Sequence, residues 1–218
     1  IVEGVTVIDA VQVSSRAIVD FLARDIPVTW LSTTGKFFGR LQSTSAQDMS
    51  RVKEQFARAE DAAFCLDLAR LTVFRKIYNQ RAILRSYNRR AGNSLVQQTY
   101  DQIRILADKL HTAKTVDEVM GYEGAVARLY FRALSEFLPE EFCFEKRTRQ
   151  PPTDPFNSML SFGYTLLMYD FYSAIERTRL SPYIGYLHAL KDGHPALASD
   201  LMEPWRAAIV DAFCLALV

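Results

Sequence analysis

Asp61–Arg90 reads DAAFCLDLARLTVFRKIYNQRAILRSYNRR, a run without glycine or proline. Phe64, Leu68, Leu71, Phe74, Ile77 and Leu84 recur at helical steps, which predicts one long helix with an apolar face. Ala91-Gly92-Asn93 supplies its glycine stop. Downstream the helical period persists. Ser94–His111 reads as a second helix. Thr115 and Glu118 have capping-box spacing and open a third, which passes through Tyr122-Glu123-Gly124 towards Leu138 and stops at Pro139. The stretch 140–155 is basic, proline-rich and irregular. Asp154-Pro155 starts a helix that is apolar nearly all round and is therefore expected to be buried. Ser181 and Pro182 are expected to cap and begin a short helix carrying His188. Lys191–Pro195 is a turn, and Ala196 onward is helical to Val218.

Upstream of the long helix the grain changes. IVEGVTVI, PVTWL and FFGRL are β-prone, SSRAIVDFLAR is a helix with a serine cap, and Ser32–Lys36 is a hairpin turn. The expected fold class is α+β, mostly α. Residues 1–43 form part of a small β-domain, 44–48 a polar linker, and 49–218 an all-helical domain. Two or three short strands are marginal alone, so the sheet is expected to continue upstream of Ile1 or to pair with another chain.

The chain has 218 residues, 49% of them hydrophobic, and a formal net charge of +1. That suits a globular protein and neither favours nor excludes nucleic acid. No apolar run approaches the roughly 18–20 residues of a membrane span. Cys65, Cys143 and Cys214 are widely spaced among apolar neighbours and lack a CxxC, which points to reduced, buried thiols in a cytosolic protein and against a zinc site.

Chemistry concentrates in Leu180–Arg206. His188 precedes Asp200 and Glu203, two acids that share a helix face at i and i+3. Pro204 bends the helix beside them. One imidazole with carboxylates suits Mg²⁺ or Mn²⁺, which can polarise a phosphate. On spacing alone, a helix-end histidine with two solvated acids accounts for the same residues. Glu123, on a half-buried helix, needs either an arginine such as Arg128 or Arg132, or a metal. Arg81, Arg85 and Arg89, with Arg75 and Lys76 before them, make a basic stripe, and Lys146, Arg147 and Arg149 a second cluster. Both read as phosphate-tracking patches or as solvated faces. Tyr164, Tyr169, Tyr172, Tyr183 and Tyr186 are core residues with hydroxyls at the rim, of which one or two can stack on a base. His111 and His194 read as surface histidines.

Four segments in order, GYEG at Gly121–Gly124, RQPPTDPFNSMLSFGYTLL at Arg149–Leu167, PYIGYLH at Pro182–His188 and DLMEPWR at Asp200–Arg206, resemble the CRISPR-associated spacer-acquisition integrases, the Cas-one family. VQVSSRAIVDFLARDIPVTWLSTTGKFFGRL looks like the end of that family's β-domain, and KIYNQRAILR like its long helix. The resemblance implies a prokaryotic cytoplasmic, metal-dependent DNA endonuclease and integrase with a small β-domain and a helical catalytic domain. Such a protein joins the 3′-hydroxyl ends of a short spacer duplex to a CRISPR array. It implies Glu123, His188 and Glu203 as catalytic metal ligands for Mg²⁺ or Mn²⁺, with Asp200 supporting them or serving as an alternate ligand. Lys76, Arg81, Arg85, Arg89, Arg147, Arg149 and Tyr164 are expected on double-stranded DNA. Partners implied are a second copy, a Cas-two protein and a nuclease of the Cas-four type, with no membrane. The family's β-domain starts before Ile1 and its helical domain runs past Val218, which leaves room for a fused nuclease or reverse transcriptase. A nuclease acting alone on branched DNA would use the same site, and a non-catalytic DNA-shaping subunit would not need it.

Overall fold

The computed structural model describes residues 2–43, 48–142, 144–148 and 151–218. Most of the polar linker, Cys143 and Arg149 fall outside them. Strand β1 (Val5–Ile8) pairs in parallel with β2 (Val28–Leu31), and helix α1 (Ser15–Ala23) makes the crossover. Strand β3 (Phe37–Leu41) pairs antiparallel with β2. The Ser32 hydroxyl shapes the hairpin turn by accepting the N–H groups of Thr34 (3.2 Å) and Lys36 (2.9 Å). Ser14 caps α1 through the Ala17 N–H, as expected. Val28 and Leu31 on the central strand are fully buried.

Among the described residues the regular elements after the sheet are all helices, so the fold is α+β and mostly α. Helix α2 (Met49–Glu60), capped by Asp48, is separated from α3 (Ala62–Ala91) by Asp61. The Asp61 carboxylate caps α3 by accepting the N–H groups of Ala63 (3.0 Å) and Phe64 (3.1 Å). At its far end Gly92 adopts the left-handed geometry (φ 62°, ψ 24°) that closes a helix without a Cβ clash. Helices α4 (Ser94–Lys109) and α5 (Val116–Ser135) pack against α3 and each other. Thr115 caps α5 through the N–H of Glu118, whose carboxylate accepts from the Lys114 N–H. Helix α6 (Pro155–Arg177) opens with Asp154 as cap and Pro155 in the first turn. It carries the sheet on one flank. Phe37 stacks on Tyr169 at 4.7 Å between centroids, and Arg40 reaches Ser173 (2.9 Å) and Glu176 (3.1 Å). Tyr130, Phe156, Ile77, Leu84 and Ile103 are among the fully buried side chains that centre the core. Each large apolar side chain so buried contributes roughly 1.5–3 kcal/mol relative to exposure.

Three expectations change. First, the apolar residues expected on the inward face of α3 divide, with Ile77 and Leu84 buried as expected and others not. Phe64, Leu71 and Phe74 are exposed, whereas Thr72, Lys76 and Gln80 are buried beside Val73 and Ile77. Second, Pro182–His188 is not a helix but an irregular loop, because its backbone N–H groups are bound by a side chain rather than by their own carbonyls. Third, the C-terminal helix is broken. Helix α7 (Ala196–Met202) ends before Pro204, a π-helical turn spans Arg206–Asp211, and α8 (Ala212–Leu217) follows. The carbonyl of Pro204 accepts from the Asn79 amide of α3 (2.7 Å). Among the described residues no helix is long and apolar enough to cross a membrane.

Candidate functional site

Asp200 organises the loop that carries His188. It is only 4% exposed, and both of its oxygens are engaged. Oδ2 accepts the N–H groups of Tyr186 (2.6 Å) and Leu187 (2.9 Å). Oδ1 accepts the His188 N–H (3.0 Å) and meets His188 Nδ1 at 2.7 Å. With Nδ1 donating to a carboxylate, the ring is fixed as the tautomer whose Nε2 carries the lone pair. The Pro-Tyr-Ile-Gly-Tyr-Leu-His segment permits this because Gly185 lies against α7. A Cβ there would stand 2.7 Å from the Ala196 Cβ and 2.8 Å from Asp200 Oδ2, closer than real contacts allow. From the other side Gln55 of α2 clamps the loop. Its amide donates to the carbonyls of Ser181 (2.8 Å) and Ile184 (2.9 Å), and its oxygen accepts the Ser181 N–H (2.9 Å).

Glu123 of α5 and Glu203, just beyond α7, meet at Lys76 of α3. Lys76 Nζ bonds Glu123 Oε1 and lies 2.6 Å from Glu203 Oε2, while Arg206 Nη2 stands 3.1 Å from Glu203 Oε1. Burial alone would push the carboxyl of Glu203 up. That is the largest single effect, but the attractions of Lys76 and Arg206, the hydrogen bond from Lys76 and the attraction of His188 together outweigh it and hold the group down at about 2. Behind Arg206 a polar chain runs into the core. Its guanidinium lies 4.9 Å over the Tyr164 ring, the Tyr164 hydroxyl donates to Asp211 Oδ1, and the Tyr130 hydroxyl donates to Asp211 Oδ2 (2.8 Å). Burial raises Asp211 to about 6 against the pull of its two phenols.

The donors fit a hard divalent ion in kind: two carboxylates and an imidazole with a free Nε2. In spacing they do not. Among the described residues no three His, Cys, Asp or Glu side chains stand close enough together to hold an ion. The ammonium of Lys76 takes the position between Glu123 and Glu203 that a cation would fill.

The structure therefore brings together Glu123, Glu203, Lys76 and Arg206, and it ties His188 to Asp200. Lys76 is not part of the exposed basic stripe, and Glu123 pairs with it rather than with Arg128 or Arg132. Arg85 and Arg89 are exposed, and Arg81 lies 4.4 Å over the Tyr100 ring. These three line a groove with Tyr78, Gln97 and Tyr100. Tyr164 is buried, so its ring is not available to a base. Arg147 donates to Asn157 (2.8 Å) and Ser161 (2.9 Å) and lies over the Tyr164 ring. Asn157, fully buried, also accepts the Thr148 N–H (2.9 Å) and donates to the Lys146 carbonyl (2.8 Å), which explains why the loop before α6 needs an asparagine there. Sequence reasoning missed Gln55, Lys76 as an ion partner, Asp211, Arg206 and His194. The His194 ring is half-buried 5.9 Å from that of His188, and desolvation first, then His188, lowers its pKa. Nothing in the sequence separated Lys76 from the other cations of α3, with which it was grouped as part of the basic stripe.

Comparison with known proteins identifies the family. The chain is 38% identical over 219 aligned positions to a CRISPR-associated endonuclease Cas1 of Mycobacterium tuberculosis, which covers 99% of this chain and 63% of that protein. It superposes on a solved Cas6-RT-Cas1–Cas2 complex with a TM-score of 0.87 and 31% identity, covering 99% of this chain and 24% of that one. Against a casposase bound to its integration product the TM-score is 0.84 at 25% identity, covering 98% of this chain and 60% of that one. The chain thus spans less than two thirds of the length of these proteins. The family model for CRISPR associated protein Cas1 matches residues 1–218, and the chain belongs to that family.

Proposed function

We propose that this chain is the catalytic part of a DNA integrase that joins the 3′-hydroxyl ends of a short spacer duplex to a CRISPR array. The observation that carries this reading is the meeting of Glu123 and Glu203 at one buried point, with His188 held by Asp200 so that its Nε2 is open. The Cas1 relatives named as endonucleases and the likeness to a casposase holding an integration product support it. The 3′-oxygen attacks phosphorus, the bond from phosphorus to the departing 3′-oxygen breaks, and the proton lost by the attacking hydroxyl is balanced by one gained by the leaving oxygen. No protein side chain needs to form a covalent intermediate. Glu123, His188 and Glu203 are the donors that would hold Mg²⁺ or Mn²⁺ once drawn closer together than they stand here, and the ion would then supply charge stabilisation on the phosphate. Arg206 keeps Glu203 aimed at the site, and Asp200 keeps the proton of His188 on Nδ1. Arg81, Arg85 and Arg89 hold the DNA backbone through their groove.

A Cas2 protein and a second copy of the chain are the proposed partners. Strands β1 and β3 each have one edge unpaired among the described residues, which supports pairing with another copy. The test uses the full chain with its partner, a supercoiled plasmid carrying an array, and a short duplex with Mn²⁺. Glu123→Ala is expected to abolish strand joining while DNA binding persists. Joining at the wild-type rate would refute the mechanism. An unchanged reaction with His188→Ala would instead favour a subunit that only shapes DNA.

A further inference from the structure

We infer that Lys76 is an internal counter-cation that occupies the divalent-ion position and must leave it before an ion can bind. The inference rests on the metal reading above and on the two contacts of the ammonium with the proposed donors Glu123 and Glu203. Lys76 is 6% exposed and sits on the inward face of α3 between Val73 and Ile77. An ammonium there is costly unless paired, and it is paired twice, with Glu123 and Glu203. Arg206 supplies the second positive charge, so two carboxylates face two cations and the cluster is neutral. A divalent ion added at the same point would place four positive charges, two of its own and one each on Lys76 and Arg206, within a few ångströms, a repulsion that low-dielectric surroundings amplify. Ion and ammonium therefore exclude one another.

The ammonium has somewhere to go. Lysine carries its charge on a flexible four-carbon stem, so Nζ can leave while the backbone stays on α3. Gln80, four residues on and on the same face, has its Oε1 buried with no hydrogen-bond partner among the described residues. That orphan acceptor can receive the displaced ammonium. In the absence of ion the lysine keeps Glu123 and Glu203 together and the site ordered. If the ammonium holds the position about nine tenths of the time, apparent ion affinity is weakened about tenfold.

Mn²⁺ binding to the full chain, followed by the EPR signal of free Mn²⁺, tests this without reference to activity. Lys76→Met is expected to bind Mn²⁺ about tenfold more tightly than wild type and to melt at a lower temperature in EDTA. Lys76→Arg, which restores the charge, is expected to return affinity towards wild type. Gln80→Met is expected to weaken binding. Lys76→Met affinity equal to or below wild type overturns the inference and leaves the metal reading standing. Absence of Mn²⁺ binding by wild type and by Lys76→Met together overturns both. If Lys76→Met does not fold, the ¹⁵Nζ resonance of Lys76 in the wild-type protein decides. It should shift when Mg²⁺ replaces EDTA, and an unmoved resonance at saturating Mg²⁺ overturns the inference.

Discussion

Replacing Asp200 by asparagine should damage both the loop and the imidazole, for reasons that can be counted. The carboxylate accepts four hydrogen bonds, from the N–H groups of Tyr186, Leu187 and His188 and from His188 Nδ1. An amide offers one oxygen and one NH₂. With the oxygen on Tyr186 and Leu187, the NH₂ faces the His188 N–H, and a buried donor is left unmet at about 1–3 kcal/mol. The remaining bonds lose their charge assistance, which adds about 1 kcal/mol. The total is about 3 kcal/mol, a large part of the 5–15 kcal/mol typical of a domain. The NH₂ must also donate to His188 Nδ1, which sends the ring proton to Nε2 and removes the lone pair that a metal would use. Urea unfolding should show the stability loss, ¹⁵N spectra of the imidazole the tautomer change, and EPR the loss of Mn²⁺ binding. A loss under about 1 kcal/mol with the wild-type tautomer retained would refute the assignment of Asp200 as the loop's anchor.

Three further outcomes are expected. Glu203, held at about 2 against an ordinary 4.5, has a depressed folded pKa. Its stabilisation, about 3 kcal/mol, is therefore complete above pH ~4.5 and shrinks as pH falls towards 2. The stability difference between wild type and Glu203→Gln should accordingly narrow by roughly 2 kcal/mol from pH 7 to pH 3. Asp211, raised to about 6, contributes in the opposite direction, losing stability as pH rises through 6, but it is present in both proteins and cancels in the difference. A pH-independent difference would refute the ion pairing. Gly185→Ala should destabilise by about 2 kcal/mol or more, since the new Cβ meets the Ala196 backbone at 2.9 Å, and circular-dichroism melting reads this out. Arg85→Ala and Arg89→Ala should each lower the slope of log K against log salt for duplex DNA by about 1, with little effect on melting; unchanged slopes would remove the groove from the DNA path.

Local signals read well from the sequence. Ser14, Thr115, Asp154-Pro155 and Gly92 each begin or end a helix where their chemistry says they should, and the sheet lies where β-prone runs place it. Periodicity succeeded only in part on α3: it placed Ile77 and Leu84 inside, but not Thr72, Lys76 and Gln80, which share the buried face, and it put Phe64, Leu71 and Phe74 inside although they are exposed. Asp200 was visible as an acid one turn from Glu203. Its role was not, because its partners are backbone N–H groups of a loop that has no period to read. Glu123 was recognisable from its motif, but its partner comes from a helix nearly fifty residues earlier, a pairing that only the packing of α3 on α5 creates.

The π-helical turn at Arg206–Asp211 makes the chain locally tolerant of a change in length. Such a turn is an α-helix holding one residue too many. Deleting Ala208, whose side chain is exposed, would remove no contact of the site and would let the backbone relax to ordinary α-helical bonding. The shorter α-helical stretch turns through about the same angle as the π-helical one, so Arg206 would still face Glu203 and Asp211 its two phenols. The same deletion inside a regular helix such as α5 would instead rotate every later residue by about 100°. Between reactive centre and core the chain thus carries a spare residue, and losing it costs far less than losing one from the helices on either side.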